Sequence, residues 1–219
     1  MKDPALRARL TPDYPIGAKR MVRDNGVWAR TLKRHNVRLA TDPIARITPA
    51  GVEMADGTVH EADVLLYGTG YEASKFLTPM TVKGRGGVDL HERWAGDARA
   101  YLGVTIPEFP NFFCLYGPNT NIVINGSIIY FSECGVRYIL NLVELLLAND
   151  ASSIEVRADV HDEYNRRVDA ENAGMAWGWS SVNSWYKNDL GRVSQNWPFT
   201  LLEYWQRTKQ IDPAEYVLR

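Results

Sequence analysis

Residues 127 to 148 leave the chain little choice of architecture. Phe131, Cys134, Tyr138, Ile139, Leu142, Val143 and Leu146 recur there at three- and four-residue spacing, the period of an α-helix with a broad apolar face. The spacing predicts a helix over 127–148, largely buried, around which the rest must pack. Glu133, Arg137 and Glu144 interrupt the same stretch, which argues against a bilayer span.

The neighbouring segments supply the packing partners. Ile154 to Arg157 reads as a short strand, and Val160, Tyr164 and Val168 mark one stripe of a further helix ending near Gly174. Upstream, residues 26–35 suggest a short helix and 36–41 a strand. A β-meander follows: Ile44–Thr48 and Val52–Ala55 flank Pro49-Ala50-Gly51, and Asp56-Gly57 suits a two-residue hairpin turn with both central residues at positive φ. Val64-Leu65-Leu66-Tyr67 is apolar without alternation, as expected of a strand covered on both faces, and Gly68-Thr69-Gly70 ends it. Phe112–Tyr116 reads as a second apolar strand, after a loop-rich stretch from 74 to 107. The expected fold class is α/β, with a β-meander and a mainly helical C-terminal part.

Charge and composition narrow the partners. The 25 Lys and Arg nearly balance the 26 Asp and Glu, and neither sign forms a long run, so nucleic acid and anionic membranes are not indicated. A small neutral molecule fits better. The two cysteines, Cys114 and Cys134, lie in apolar stretches and read as reduced core residues. His35, His60, His91 and His161 lack metal-ligand spacing, so no metal is expected. The start of the chain has no apolar leader segment, and the chain reads as cytoplasmic. Trp177, Trp179, Trp185, Trp197 and Trp205 cluster near the C-terminal end, where amphipathic rings line a pocket or seal a domain edge.

Four segments carry candidate chemistry. Gly68-Thr69-Gly70-Tyr71-Glu72-Ala73 matches G-x-G-x-x-A formally, but that fingerprint needs a following helix for the pyrophosphate, and Pro79 interrupts one within two turns. Tyr14-Pro15-Ile16-Gly17-Ala18-Lys19-Arg20 brings two cations together after a Pro and a Gly. Gly117-Pro118-Asn119-Thr120 follows an apolar run and precedes the long helix, a position suited to helix initiation and to negative charge. Asn183-Ser184-Trp185-Tyr186-Lys187-Asn188, with Gly191-Arg192 and Asn196-Trp197-Pro198, completes the set.

This ordered set, with EADVLLYGTGY, YLG and FPNFFCLYGPNTN, resembles the C-terminal part of the class B flavoprotein monooxygenases of Baeyer-Villiger type, and in particular 4-hydroxyacetophenone monooxygenase-like sequences. The resemblance runs from about residue 5 to 210. It implies FAD and NADPH as cofactors, with residues 1–72 closing an NADPH domain and 73–219 completing an FAD domain and substrate cavity. Gly68, Thr69 and Gly70 would mark the crossing between the two domains, and the GPN segment would lie against the flavin. Arg20 would be the active-site arginine, and Lys19 would approach the 2'-phosphate of NADPH. Trp185 and Tyr186 would lie near the substrate. A guanidinium suits this role because it is always charged and planar and can stabilise negative charge developing on oxygen. The implied reaction inserts one atom of O2 beside a ketone carbonyl to give an ester.

The same resemblance places the FAD fingerprint, the NADPH fingerprint and the F-x-G-x-x-x-H-x-x-x-W signature upstream of Met1. Two alternatives stand beside it: an N- or S-oxygenating flavin monooxygenase, and a truncated chain acting only as a binding module. Substrate identity and oligomeric state have no sequence signal.

Overall fold

A computed structural model of the chain describes residues 3–124 and 126–219. The chain divides into two compact units, one comprising Met1–Asp13 and Val22–Tyr71, the other Tyr14–Met21 and Glu72–Arg219.

The first unit is built on the meander. Strands β1 (Ile44–Thr48), β2 (Gly51–Met54) and β3 (Val59–Glu61) pair antiparallel in the order β1-β2-β3. The β2–β3 turn differs from the expected two-residue form. Only Gly57 takes positive φ, at 85°, while the Asp56 carboxylate accepts the Thr58 N–H at 2.8 Å and the Met54 N–H reaches the Thr58 carbonyl. That is a three-residue loop closed by a left-handed glycine, a geometry that spares Asp56 the strain of positive φ. Helix α1 (Pro4–Leu10) is capped by Asp3, which accepts the Ala5 and Leu6 N–H groups, and α2 is confined to Val27–Thr31.

Three expected strands do not form ladders. In residues 36–41 the Leu39 carbonyl is taken by the Arg9 guanidinium at 2.6 Å rather than by a neighbouring strand. Val64–Tyr67 is irregular and open, with Val64 74% and Leu66 92% exposed. An apolar run becomes a strand only when another segment supplies its N–H and C=O partners, and among the described residues none pairs with this one. Phe112–Tyr116 is bracketed by left-handed Asn111 (φ 59°) and Tyr116 (φ 54°), which break the extended path at both ends.

In the second unit, α3 (Leu90–Trp94) is followed by α4 (Ile128–Ala148), whose first turn is capped by Ser127. Strand β4 (Ile154–Val156), α5 (Ala158–Gly174), α6 (Leu201–Lys209) and β5 (Tyr216–Leu218) complete it, with β4 and β5 antiparallel. Phe131, Cys134, Tyr138 and Leu142 of α4 meet Tyr164 and Val168 of α5, Tyr204 of α6, Tyr216 of β5 and Trp197 in one core. The Tyr138 and Tyr216 hydroxyls share a buried 2.7 Å hydrogen bond. Burial of α4 is one-sided: Val136, Leu140, Val143 and Leu147 face outward, because packing covers one stripe while the sequence is apolar over more than half the circumference. A second cluster joins Leu90, Trp94, Ile106, Phe109 and Cys114. Both cysteines are free and buried, and burial pushes the Cys114 thiol up to about 12.

Candidate functional site

The segment Tyr14–Met21 enters the second unit through Ala18, which is fully buried and whose N–H bonds the Pro15 carbonyl at 3.1 Å. This anchor leaves the next two side chains outside the core. The Lys19 ammonium lies over the Tyr14 ring, 4.7 Å from its centre. Arg20 is exposed and donates from Nη1 to the Ile122 carbonyl at 3.4 Å. It borders an open cleft of about 330 Å³ lined by Ile122, Val123, Ile124, Ser127 and Ile128. Arg20 makes no ion pair with a carboxylate among the described residues. Its charge reaches two phenols: burial raises Tyr116 and Tyr186, and Arg20 pulls both back down. The cleft therefore combines a largely polar lining that includes Ile122, Val123, Ile124 and Ile128, a guanidinium without a carboxylate partner among the described residues, and the N-terminal turn of α4, whose amides add positive potential.

Gly117–Thr120 is buried and held from within. The Asn119 amide donates to the Val193 carbonyl at 2.8 Å and the Asn196 carbonyl at 3.1 Å, and Thr120 Oγ1 donates to the Gly117 carbonyl at 2.7 Å. Gly117 packs on Gly103 of the Tyr101-Leu102-Gly103 segment. A Cβ at Gly117 would strike the Gly103 carbonyl oxygen, and one at Gly103 would strike the Thr120 methyl. Two motifs that stand apart in sequence thus need their glycines for each other. Tyr116, just before the loop, donates to Asn121 Oδ1 at 2.5 Å, and the Asn121 amide donates to Asn196 Oδ1 at 2.7 Å.

Arg192 was without an assigned role in the sequence, yet it organises the base of this loop. Its Nε pairs with Asp97, Nη1 donates to Asp169 at 3.0 Å and to Asn119 Oδ1 at 3.1 Å, and Nη2 meets the Ala98 carbonyl. Asn188 donates to Asp97 at 2.7 Å and accepts the Arg192 N–H at 2.9 Å, while Arg99 bridges Asp97 and Asp169. Burial works to raise the Asp97 carboxyl, but Arg192 and Arg99 outweigh it and hold the group below its ordinary range. The only sequence signal for this cluster was the Asn188…Arg192 spacing; the carboxylates lie far away in the chain.

Of the C-terminal aromatics, Trp197 belongs to the main core, and Trp177 donates to Asn172 Oδ1 at 2.7 Å. Trp179 and Trp185 are exposed. Trp185 stacks at a tilt on Tyr186, ring centres 4.6 Å apart, and Tyr186 is fully buried against Val123 and Val193. Among the described residues, the buried Tyr186 hydroxyl, Ser194 Oγ and Asn196 Nδ2 have no hydrogen-bond partner.

The structure thus brings Arg20 and the strip following Thr120 to one cleft, and Tyr186 is buried against Val123 of that strip. Gly68, Thr69 and Gly70 lie exposed in the first unit, and no helix begins after Gly70.

Known proteins resemble the chain along its whole length. The chain is 37% identical over 220 residues to an FAD-binding monooxygenase of Aspergillus niger, a match covering 99% of the chain and 36% of that protein. It is 33% identical over 219 residues to a Baeyer-Villiger monooxygenase of Pseudomonas aeruginosa, covering all of the chain and 41% of the relative. Its backbone superimposes on oxidized steroid monooxygenase bound to NADP with a TM-score of 0.84 and 29% identity, covering 100% of the chain and 42% of that structure. The chain is homologous to part of the Baeyer-Villiger monooxygenases. It spans about two-fifths of the length of these relatives. No family model matches it. As in this family, the chain is of mixed helix and strand. Among the described residues, no helix is long and apolar enough to cross a membrane.

Proposed function

We propose that the chain forms part of a cytoplasmic FAD- and NADPH-dependent monooxygenase that inserts one atom of O2 beside a ketone carbonyl. The observation that carries this reading is the Arg20 guanidinium, without a carboxylate partner among the described residues, at an open cleft in a homologue of the Baeyer-Villiger family. FAD supplies the oxygen chemistry when bound, and NADPH supplies its electrons.

The residues present fit a flat, partly anionic ring system. Ile122, Ile124 and Ile128 offer apolar side chains within a largely polar lining. Arg20 and the first turn of α4 offer positive charge. The rigid Gly117–Thr120 loop contributes shape rather than side-chain donors, since the amide of Asn119 is spent inside the fold. In this reading residues 1–72 belong to the NADPH side and 73–219 to the FAD side. Lys19, on the buried Ala18 anchor, contacts the 2'-phosphate as a compact charge. Gly68, Thr69 and Gly70 mark the crossing between domains. Trp185, exposed beside Tyr186, offers an aromatic face to a small ketone.

Arg20 acts by holding charge. Negative charge that develops on oxygen during insertion meets a guanidinium already in place. Rapid-mixing kinetics of Arg20→Ala in the complete enzyme tests the proposal. Flavin reduction by NADPH should persist, while substrate oxygenation should slow by roughly 100-fold. Oxygenation at the parental rate would show that Arg20 is a surface cation.

A further inference from the structure

We propose that Tyr186 positions Arg20: its buried hydroxyl and the Ile122 carbonyl together accept guanidinium N–H groups, which aims the remaining donors into the cleft. The inference deepens the reading of Arg20 given above and rests on it for its functional meaning.

Three observations lead here. First, the Tyr186 hydroxyl is buried with no hydrogen-bond partner among the described residues, and leaving such a group unsatisfied is costly. Second, Arg20 is under-used: its hydrogen bond to Ile122 is at the 3.4 Å limit, and a guanidinium has five donors to place. Third, both groups border the same strip of chain, since Tyr186 packs on Val123, which lines the Arg20 cleft between Ile122 and Ile124. The influence of Arg20 on the Tyr186 phenol agrees with their proximity.

Tyr186 is suited to be the fixed member of the pair. Its N–H donates to Ser184 Oγ at 3.1 Å, and its carbonyl accepts the N–H of Ser194 at 3.0 Å and of Gln195 at 3.3 Å. Its ring is held between Trp185, Val123 and Val193. Arg20, by contrast, sits on an exposed stem. A long side chain loses much rotational freedom when it is ordered, so a second rigid acceptor is what converts a mobile cation into an oriented one.

The test is Tyr186→Phe, which removes only the hydroxyl, in the complete flavin-loaded enzyme. Nitrogen NMR reads rotation of the Arg20 guanidinium about its Cζ–Nε bond. The rate should rise about fivefold in the variant, the factor that corresponds to one ordinary hydrogen bond. In the unsubstituted protein, rotation at Arg20 should already be slower than at Arg7, an exposed arginine with no such pair of acceptors; this comparison stands even if the variant does not fold. Turnover should fall with KM for ketone nearly unchanged. Equal rotation rates in parent and variant, or free rotation at Arg20 in the parent, would overturn the proposal. If Tyr186→Phe frees Arg20 while Arg20→Ala oxygenates normally, the positioning contact stands and the catalytic reading of Arg20 fails.

Discussion

Replacing Arg192 by methionine should destabilise the second unit more than any surface change, and the structure sets the size of the effect. Methionine keeps the apolar stem but removes the contacts to Asp97, Asp169, Asn119 and the Ala98 carbonyl. The Arg192 side chain is only 12% exposed, so water replaces little of what is lost. Breaking one side of a buried ion pair costs about 3–5 kcal/mol. Arg99 continues to compensate both aspartates, which favours the lower end, about 3 kcal/mol. At roughly 2–4 °C per kcal/mol for a chain of this size, the calorimetric Tm should fall by about 6–12 °C. Lysine should recover only a fraction, since one ammonium cannot span four acceptors. The pH dependence provides a second check. Asp97 is held below its ordinary range in the folded state. Its contribution is therefore full above the unfolded aspartate value of about 3.9 and is lost as pH falls through the lower folded value. The gap between parent and Arg192→Met should narrow below about pH 4. A Tm within 2 °C of the parent, roughly the effect of less than 1 kcal/mol, would refute the view that this cluster holds the loop.

Two further outcomes follow from local geometry. Gly117→Ala places a methyl against the Gly103 carbonyl oxygen; the resulting overpacking should cost about 1–3 kcal/mol in urea unfolding and leave the first unit unaffected. Lys19→Ala in the complete enzyme should raise KM for NADPH about tenfold and leave NADH almost unchanged, if the charged contact contributes about 1.5 kcal/mol; equal effects on both cofactors would remove Lys19 from the 2'-phosphate.

Helices were readable where their causes are local. The α4 stripe Phe131, Cys134, Tyr138, Leu142 lies on one face by periodicity alone, and Ser127 stands where a cap is needed. The Tyr164 and Val168 stripe of α5 and the pairing of β1 with β2 are of the same kind. The apolar runs Val64–Tyr67 and Phe112–Tyr116 were read as strands because composition reports an apolar environment but not a ladder partner. The first remains open, and the second is cut by left-handed residues at its ends.

The candidate site divides along the same line. Sequence alone pointed to the homology with part of the Baeyer-Villiger monooxygenases, through an ordered set of short motifs, and it marked Lys19, Arg20, Gly117–Thr120 and Trp185-Tyr186 as segments of interest. Only the tertiary structure decided what these residues touch. Gly117 and Gly103 are small because two backbones meet there. Asn119 is occupied inside the fold by Val193, Asn196 and Arg192. Arg192 finds Asp97 across 95 positions of chain, and Arg20 finds Ile122 across 102. Periodicity and caps act over one or two helical turns, so they are written in consecutive residues. Hydrogen bonds and charge pairs act over a few ångströms of space, and only the folded chain settles which residues are that close.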